Sequence, residues 1–231
     1  MKLHFLVEGT SEVKFLEGLL PRLIPNHKFA VYPHQGKGKL PNDPQQPPDP
    51  KHRGVLDLLP ATLRAWGKSL SPETDRVVLL VDLDNDNCTW LLQKLFDVLA
   101  AIEPAPICLF RLAIEEVEAW YLGDWAALKR AFPKAKRMLW SNYEQDAICG
   151  TWEMLQQIIQ DPVDRKTFWA EKMGVELEIY EAGGVNRSVS FQKFCSGVRR
   201  LAGEVSEGPR ARRQRTDLQA RTKAKKSSPK R

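Results

Sequence analysis

The chain has 231 residues, 42% of them hydrophobic and 28% charged, enough for one good core or a core with a small appendage. No apolar run approaches the roughly 20 residues that a membrane helix needs, and Met1 to Val7 runs into Glu8 too soon to be the apolar region of a signal peptide, so a cytoplasmic protein with no membrane partner is expected. The net charge of +6 is uneven: Gly208 to Arg231 carries ten Lys or Arg and one Asp, a net of +9, which leaves 25 basic and 28 acidic residues, a net of −3, on the remainder.

Leu3 to Val7 reads as a short apolar strand. Ser11 to Arg22 follows with helical spacing (Val13, Phe15, Leu16, Leu19, Leu20), and Pro25 stops it. Thr10 or Ser11 is placed to cap this helix, and Glu12 to complement its dipole. Phe29 to Tyr32 is a second strand. Pro41 to Asp49, with four Pro and two Gln, is a long loop that can extend neither strand nor helix. Val55 to Trp66 is a helix with Leu58, Leu59, Leu63 and Trp66 on its apolar side. Arg76 to Val81 is a continuous apolar strand, the pattern of one buried on both faces. Leu91 to Ile102 is a helix and Ile107 to Ala113 a fourth strand. Strands alternating with helices of this length imply a parallel α/β sheet joined by right-handed crossovers.

Beyond Glu116 the pattern is mainly helical, with segments at Trp125 to Ala131, Thr151 to Ile159 and Ser190 to Leu201. The expected organisation is a Rossmann-like α/β unit over 1–124, a helical extension over 125–207 packed on it, and a disordered basic tail over 208–231. Such a tail either solubilises the chain or binds polyanions without sequence preference. Cys88, Cys108, Cys149 and Cys195 are widely spread and form no C-x-x-C pair, which favours reduced structural thiols over a disulfide or zinc framework.

The strongest local signal is Val77-Val78-Leu79-Leu80-Val81-Asp82-Leu83-Asp84-Asn85-Asp86. A buried strand delivers acids to its carboxyl end, where ligand crevices lie in open parallel sheets. Alternation places Asp82 and Asp84 on one side, where they repel unless a cation separates them; Mg2+, a hard ion taking carboxylate and water oxygens, suits them. The plainer alternative is a polar loop that caps the next helix. A calcium EF-hand loop starting at Asp82 would need Gly at 87 and Glu at 93, where the chain has Asn87 and Gln93. A haloacid-dehalogenase-type Asp-x-Asp usually continues with Thr or Val, where Asp86 stands. In Phe5-Leu6-Val7-Glu8-Gly9-Thr10-Ser11-Glu12 a second strand delivers Glu8 in the same way, and one glycine is too few for a dinucleotide fingerprint.

Val7-Glu8-Gly9 after a first strand, followed by Asp82-x-Asp84 after a later one, resembles the Toprim domain of topoisomerases, bacterial primases, small nucleases and overcoming-lysogenization-defect nucleases. The resemblance covers the first half of the chain. It implies Glu8 as acid/base or metal ligand and Asp82 and Asp84 as Mg2+ (or Mn2+) ligands. Ala113-Ile114-Glu115-Glu116-Val117-Glu118-Ala119-Trp120, Gly36-Lys37-Gly38-Lys39 and Asn186-Arg187-Ser188-x-Ser190-Phe191 further resemble segments of a Toprim-like bacterial family often encoded beside a P-loop ATPase. Glu115 stands where that family's His is expected, and the stretch from Gly174 to Gly184 departs from its pattern.

The expected site is therefore Glu8, Asp82, Asp84 and Glu116 as catalytic groups, with Asp86 and Glu118 completing the metal ligands. Glu116 ranks ahead of Glu118: on a strand both would face one way, on a helix only one would reach the site, and acids at a helix start are the plainer alternative. Lys37 and Lys39 lie on a flexible cationic loop suited to phosphate or to solvent. Arg187 and Ser188 are placed to hold phosphate at a helix start, with capping by Ser188 or Ser190 as the modest alternative. Trp66, Trp90, Trp120, Trp125, Trp140, Trp152 and Trp169 are expected mostly in the core; base stacking by one or two of them is the alternative, and nothing in the sequence selects which. The activity the resemblance implies is metal-dependent nucleic-acid cleavage, DNA ahead of RNA, in genome defence with an ATPase partner. The alternative is a non-catalytic nucleic-acid or nucleotide-binding module that regulates that ATPase.

Overall fold

The computed structural model describes residues 1–147, 150–179 and 186–204; the basic tail, Cys149 and the part of the Gly174 to Gly184 stretch from residue 180 on lie outside the described residues. Strand β1 (Lys2–Val7), helix α1 (Thr10–Leu23), β2 (Lys28–Pro33), α2 (Val55–Ser69), β3 (Asp75–Asp82), α3 (Cys88–Ala100) and β4 (Cys108–Ala113) alternate as expected. All four strands are parallel, in the order β2-β1-β3-β4. The chain leaves β1 toward β2 on one side and returns to β3 on the other. The carboxyl ends of β1 and β3 therefore flank the point where the winding direction reverses, the place where such sheets open a crevice. No described helix is long and apolar enough to cross a membrane.

Alternation along the strands divides the core in two. Val77, Leu79 and Val81 of β3 face α2 and α3, packing with Leu59, Leu63, Leu91 and Leu95. Val78 and Leu80 face the other way, with Leu3 and Phe5 of β1, into a cluster that runs on through α1 and into the C-terminal helices. Asp82 has the parity of this second set.

Six helices follow: α4 (Glu118–Leu122), α5 (Trp125–Ala131), α6 (Arg137–Ser141), α7 (Thr151–Ile159), α8 (Lys166–Glu176) and α9 (Val189–Leu201). Helices α5 and α7 have the expected bounds, whereas α4, α6 and α8 are additions to the sequence reading. The helical part shares one core with the sheet: Trp120, Trp169, Phe191 and Phe194 are buried with Phe5, Phe15 and Leu16. The Arg22 guanidinium donates to the carbonyls of Gly174 (2.7 Å) and Leu177 (3.0 Å), tying α1 to the end of α8.

Helices α1 and α8 touch through glycine. A Cβ on Gly18 would lie 2.9 Å from the Gly174 carbonyl carbon, and one on Gly174 would collide with the Phe15 carbonyl oxygen. Gly→Ala inside a helix ordinarily stabilises by roughly 0.5–1 kcal/mol. Here the sign should reverse: Gly174→Ala is expected to destabilise the protein by about 2 kcal/mol through overpacking, and the urea midpoint measures it.

Candidate functional site

Glu8 follows β1 directly, and its Oε1 accepts the backbone N–H of Asp82 at 2.7 Å. Asp82 closes β3 and points to the face on which α4 sits, where its Oδ1 accepts the N–H of Val117 at 3.0 Å. Glu118, the first residue of α4, is 6% exposed, and its carboxylate accepts a hydrogen bond from its own backbone N–H. Glu12, one turn into α1, is held by the Gly9 N–H (2.8 Å) and the Ser11 hydroxyl (3.0 Å). Gly9 is the N-cap and Thr10 the first helical residue, so neither hydroxyl caps α1 as expected; the Glu12 carboxylate serves that terminus.

These acids disturb one another. Asp82 is pushed well above the ordinary carboxylate range, first by burial, then by Glu8, Glu118, Glu12 and Glu116. Burial also lifts Glu8 to about 7, against the Asp82 N–H, which favours its anion; Glu12 and Asp84 add to the rise and Lys37 opposes it. Glu118 likewise reaches about 7 through burial, with Lys166 opposing and Glu116 and Glu12 reinforcing. Tyr121, three residues further along α4, is raised by burial and then by Glu118, Glu12 and Asp82. A group that burial keeps partly protonated beside other acids is where a cation or a transferable proton gains most.

Asp84 and Asp86 do not join this cluster. The strand ends at Asp82, and Asp84 has φ 50°, so the two-residue alternation that would align it with Asp82 no longer applies. The Lys37 ammonium, 13% exposed, bonds Asp84 at 2.9 Å, Asp86 at 2.7 Å and the Leu83 carbonyl at 2.9 Å. Its loop is pinned instead of flexible. The carbonyls of Gly36 and Lys37 accept the first N–H groups of α2 (Val55 and Leu56), and Asp57 accepts the N–H of Gly54 and of Lys39. Gly36 and Gly38 have φ of 84° and 68°, and a Cβ on Gly38 would collide with Asp57, so both positions require glycine. The Lys39 side chain is exposed. With Lys37, Asp84, Asp86, Trp90 and Lys94 it lines a cavity of about 910 Å³ between this loop and α3.

Glu116 and Glu118 are placed differently, and Glu118 is the more deeply buried. Glu116 Oε2 accepts the N–H of Trp152 at 2.9 Å, and Glu115 accepts the Gly150 N–H (2.7 Å) and the Thr151 hydroxyl, so both acids serve the start of α7. Glu116 remains close enough to raise Asp82 and lies 4.0 Å from the Lys166 ammonium. Burial raises its own pKa, and Lys166 counters this. Ser188 cannot hold a phosphate: it is fully buried, caps α9 through the Phe191 N–H, and lies 3.0 Å from Ser190, which in turn accepts the Trp120 indole N–H. Arg187 is exposed and its guanidinium lies over the Trp140 ring at 4.1 Å.

Three participants escaped the sequence reading. Glu12 lies one turn beyond Glu8, a spacing that puts both at one helix start. Tyr121 shares the i, i+3 spacing with Glu118. Lys166, stacked over Trp152 at 4.6 Å, belongs to a helix that the sequence reading left unassigned.

The donor set suits a hard divalent ion: carboxylates alone, mutually repelling, on rigid strand ends. Among the described residues, as they stand, no three His, Cys, Asp or Glu side chains are drawn together as a metal-holding group. One oxygen each of Glu8, Asp82 and Glu116 is engaged by a backbone N–H.

A family model described as a domain of unknown function (DUF4276) matches residues 7–199, and the chain belongs to that family. No curated protein and no solved structure matches it.

Glu118 has a direct consequence for stability. Its ordinary value is 4.5 and the folded protein holds it near 7, so between these values the folded state binds the extra proton. The resulting stabilisation is present below pH 4.5 and lost as pH rises through 7. Glu118→Gln should match wild type in acid and exceed it by on the order of 2 kcal/mol above neutrality, as read from urea midpoints at the two pH values.

Proposed function

We propose that this chain is a divalent-cation-dependent phosphodiesterase acting on nucleic acid, centred on Glu8, Asp82 and Glu118. The observation that carries the reading is Asp82, set at the reversal point of the sheet with four other carboxylates raising its pKa. Asp82 and Glu118 are the ligands this arrangement favours, with Glu116 beside them and Glu8 shared between ligand and acid/base roles. A divalent ion bound there supplies polarisation of the phosphoryl oxygen and charge stabilisation at the leaving oxygen.

The chain's own groups account for the remaining steps. Glu8, held near 7, is divided between base and acid at neutral pH, which suits it to take a proton from an attacking water and return one to a leaving oxygen. Its Oε1 stays on the Asp82 N–H, so Oε2 is the oxygen available for proton transfer. Lys37, fixed by Asp84, Asp86 and the Leu83 carbonyl, supplies a positioned positive charge at the rim. In this reading Asp84 and Asp86 position Lys37 and are not metal ligands. Lys166 balances the far side through Glu116 and Glu118.

A second reading, a non-catalytic module serving a P-loop ATPase, is favoured by one observation: Lys37 already occupies the cationic place between Asp84 and Asp86. Cleavage assays separate the two readings. With Mg2+ or Mn2+, the wild-type chain should cut plasmid DNA or a single-stranded RNA, and EDTA should stop it. Glu8→Gln and Asp82→Asn should each lower the rate by about 100-fold or more. Cutting by purified Asp82→Asn at the wild-type rate would sink the enzyme reading.

Ion binding has an independent readout. Millimolar Mg2+ should raise the melting temperature of wild type by a few degrees above neutral pH, through preferential binding to the folded state. The gain should shrink in acid, where Glu8, Asp82 and Glu118 are protonated, and should be absent in Glu118→Gln. An equal gain in that variant removes Glu118 from the ligand set.

A further inference from the structure

Residues 129–137 read Lys-Arg-Ala-Phe-Pro-Lys-Ala-Lys-Arg, five cations and no acid in nine positions. Arg130 is committed to Glu176 at 2.6 Å, and the Lys129 ammonium to the carbonyls of Pro133 and Ala135. The other three, Lys134, Lys136 and Arg137, are exposed, and among the described residues none of them forms an ion pair; the same holds for Arg187. A hollow of about 490 Å³ opens here, with Lys129, Lys134, Lys136 and Arg137 as its charged lining and no carboxylate.

Two of these cations are preorganised. The Arg137 guanidinium lies 4.3 Å from the Trp140 ring centre and 4.9 Å from that of Trp125, and Arg187 lies 4.1 Å from Trp140. Trp140 is 8% exposed and donates its indole N–H to the Leu122 carbonyl at 2.7 Å, so the platform is fixed. A guanidinium stacked on a fixed ring loses little further rotamer freedom on binding, and it presents a planar fork that matches two phosphate oxygens. A structural duty for the patch is insufficient. The carboxyl end of α7 meets it through the Lys136 N–H on the Ile158 carbonyl, but a helix end carries roughly half a charge, far less than four full cations.

We infer that this Arg–Trp surface grips the phosphate backbone of a nucleic acid, apart from the carboxylate cluster. The choice of nucleic acid among polyphosphates rests on the cleavage reading above. The two places are linked by one short helix. Glu118 opens α4, and its last turn supports the platform through Leu122 and through the Gly123 carbonyl, which accepts the Arg187 N–H at 2.9 Å. At about 1.5 Å per residue, Glu118 and Leu122 stand roughly 6 Å apart along the axis.

The test is fluorescence anisotropy of the full chain with a labelled oligothymidylate, in EDTA so that nothing is cut, over a range of salt. The tail is present throughout and its contribution cancels between variants. Lys134→Gln/Lys136→Gln/Arg137→Gln should bind about tenfold or more weakly, and its dependence of log K on log salt should be shallower by about 2, since each phosphate contact to a single strand contributes about 0.7. Circular dichroism should be unchanged, because all three side chains are exposed. Wild-type affinity and slope in the triple variant overturn the proposal. So does a variant that loses polyglutamate binding while keeping oligothymidylate, since the surface would then serve an acidic protein. A chain that binds through this surface yet never cuts with Mg2+ retires the cleavage reading alone; one that cuts while the triple variant binds normally retires the surface alone.

Discussion

The Asp82 N–H resting on Glu8 Oε1 is the contact on which the site depends. The β1–β3 ladder ends at the pair Leu6 and Leu79, because the chain beyond β1 turns away toward α1. Asp82 still carries a backbone donor, and a donor left unpaired in this setting costs about as much as a lost hydrogen bond. Glu8 takes the place of the missing ladder acceptor. The same side chain thereby holds the sheet together at its reversal point and brings a carboxylate against Asp82. Burial and crowding follow from this placement, and the raised pKa values of Glu8, Asp82 and Glu118 follow from burial and crowding.

The sheet and the positions of Glu8 and Asp82 were legible because apolar strands ending in an acid leave a plain pattern. Asp84 was misplaced because a period of two was carried past the last strand residue; a left-handed φ at Asp84 breaks it, and no residue type announces that conformation when the residue is Asp. The bonds of Glu115 and Glu116 to the start of α7 were not legible because α7 lies some 35 residues further on. Helices α4 and α6, five residues each, are too short to show a period. Helix α8 is long enough, but its buried stripe of Trp169, Ala170, Met173 and Gly174 includes two small residues that hydropathy does not mark as core. Their smallness is what lets α1 come close.

Charge is segregated around the site. Carboxylates concentrate where β1, β3 and α4 meet, Lys37 and Lys166 border them, and the Arg–Trp surface lies beyond α4 with no acid of its own. Asp84 and Asp86 are both engaged by one lysine, Lys37.

The glycine contact between α1 and α8 has a consequence for inheritance. Helix α1 carries Glu12 in its first turn and rests on Gly174 through Phe15 and Gly18, and the aromatic core passes from Phe5 and Phe15 into Trp120, Trp169 and Phe191 without a seam. The first 124 residues alone would leave this core incomplete, since α7, α8 and α9 contribute to it later in the chain. Recombination that exchanged the C-terminal half would have to preserve this methyl-free meeting point.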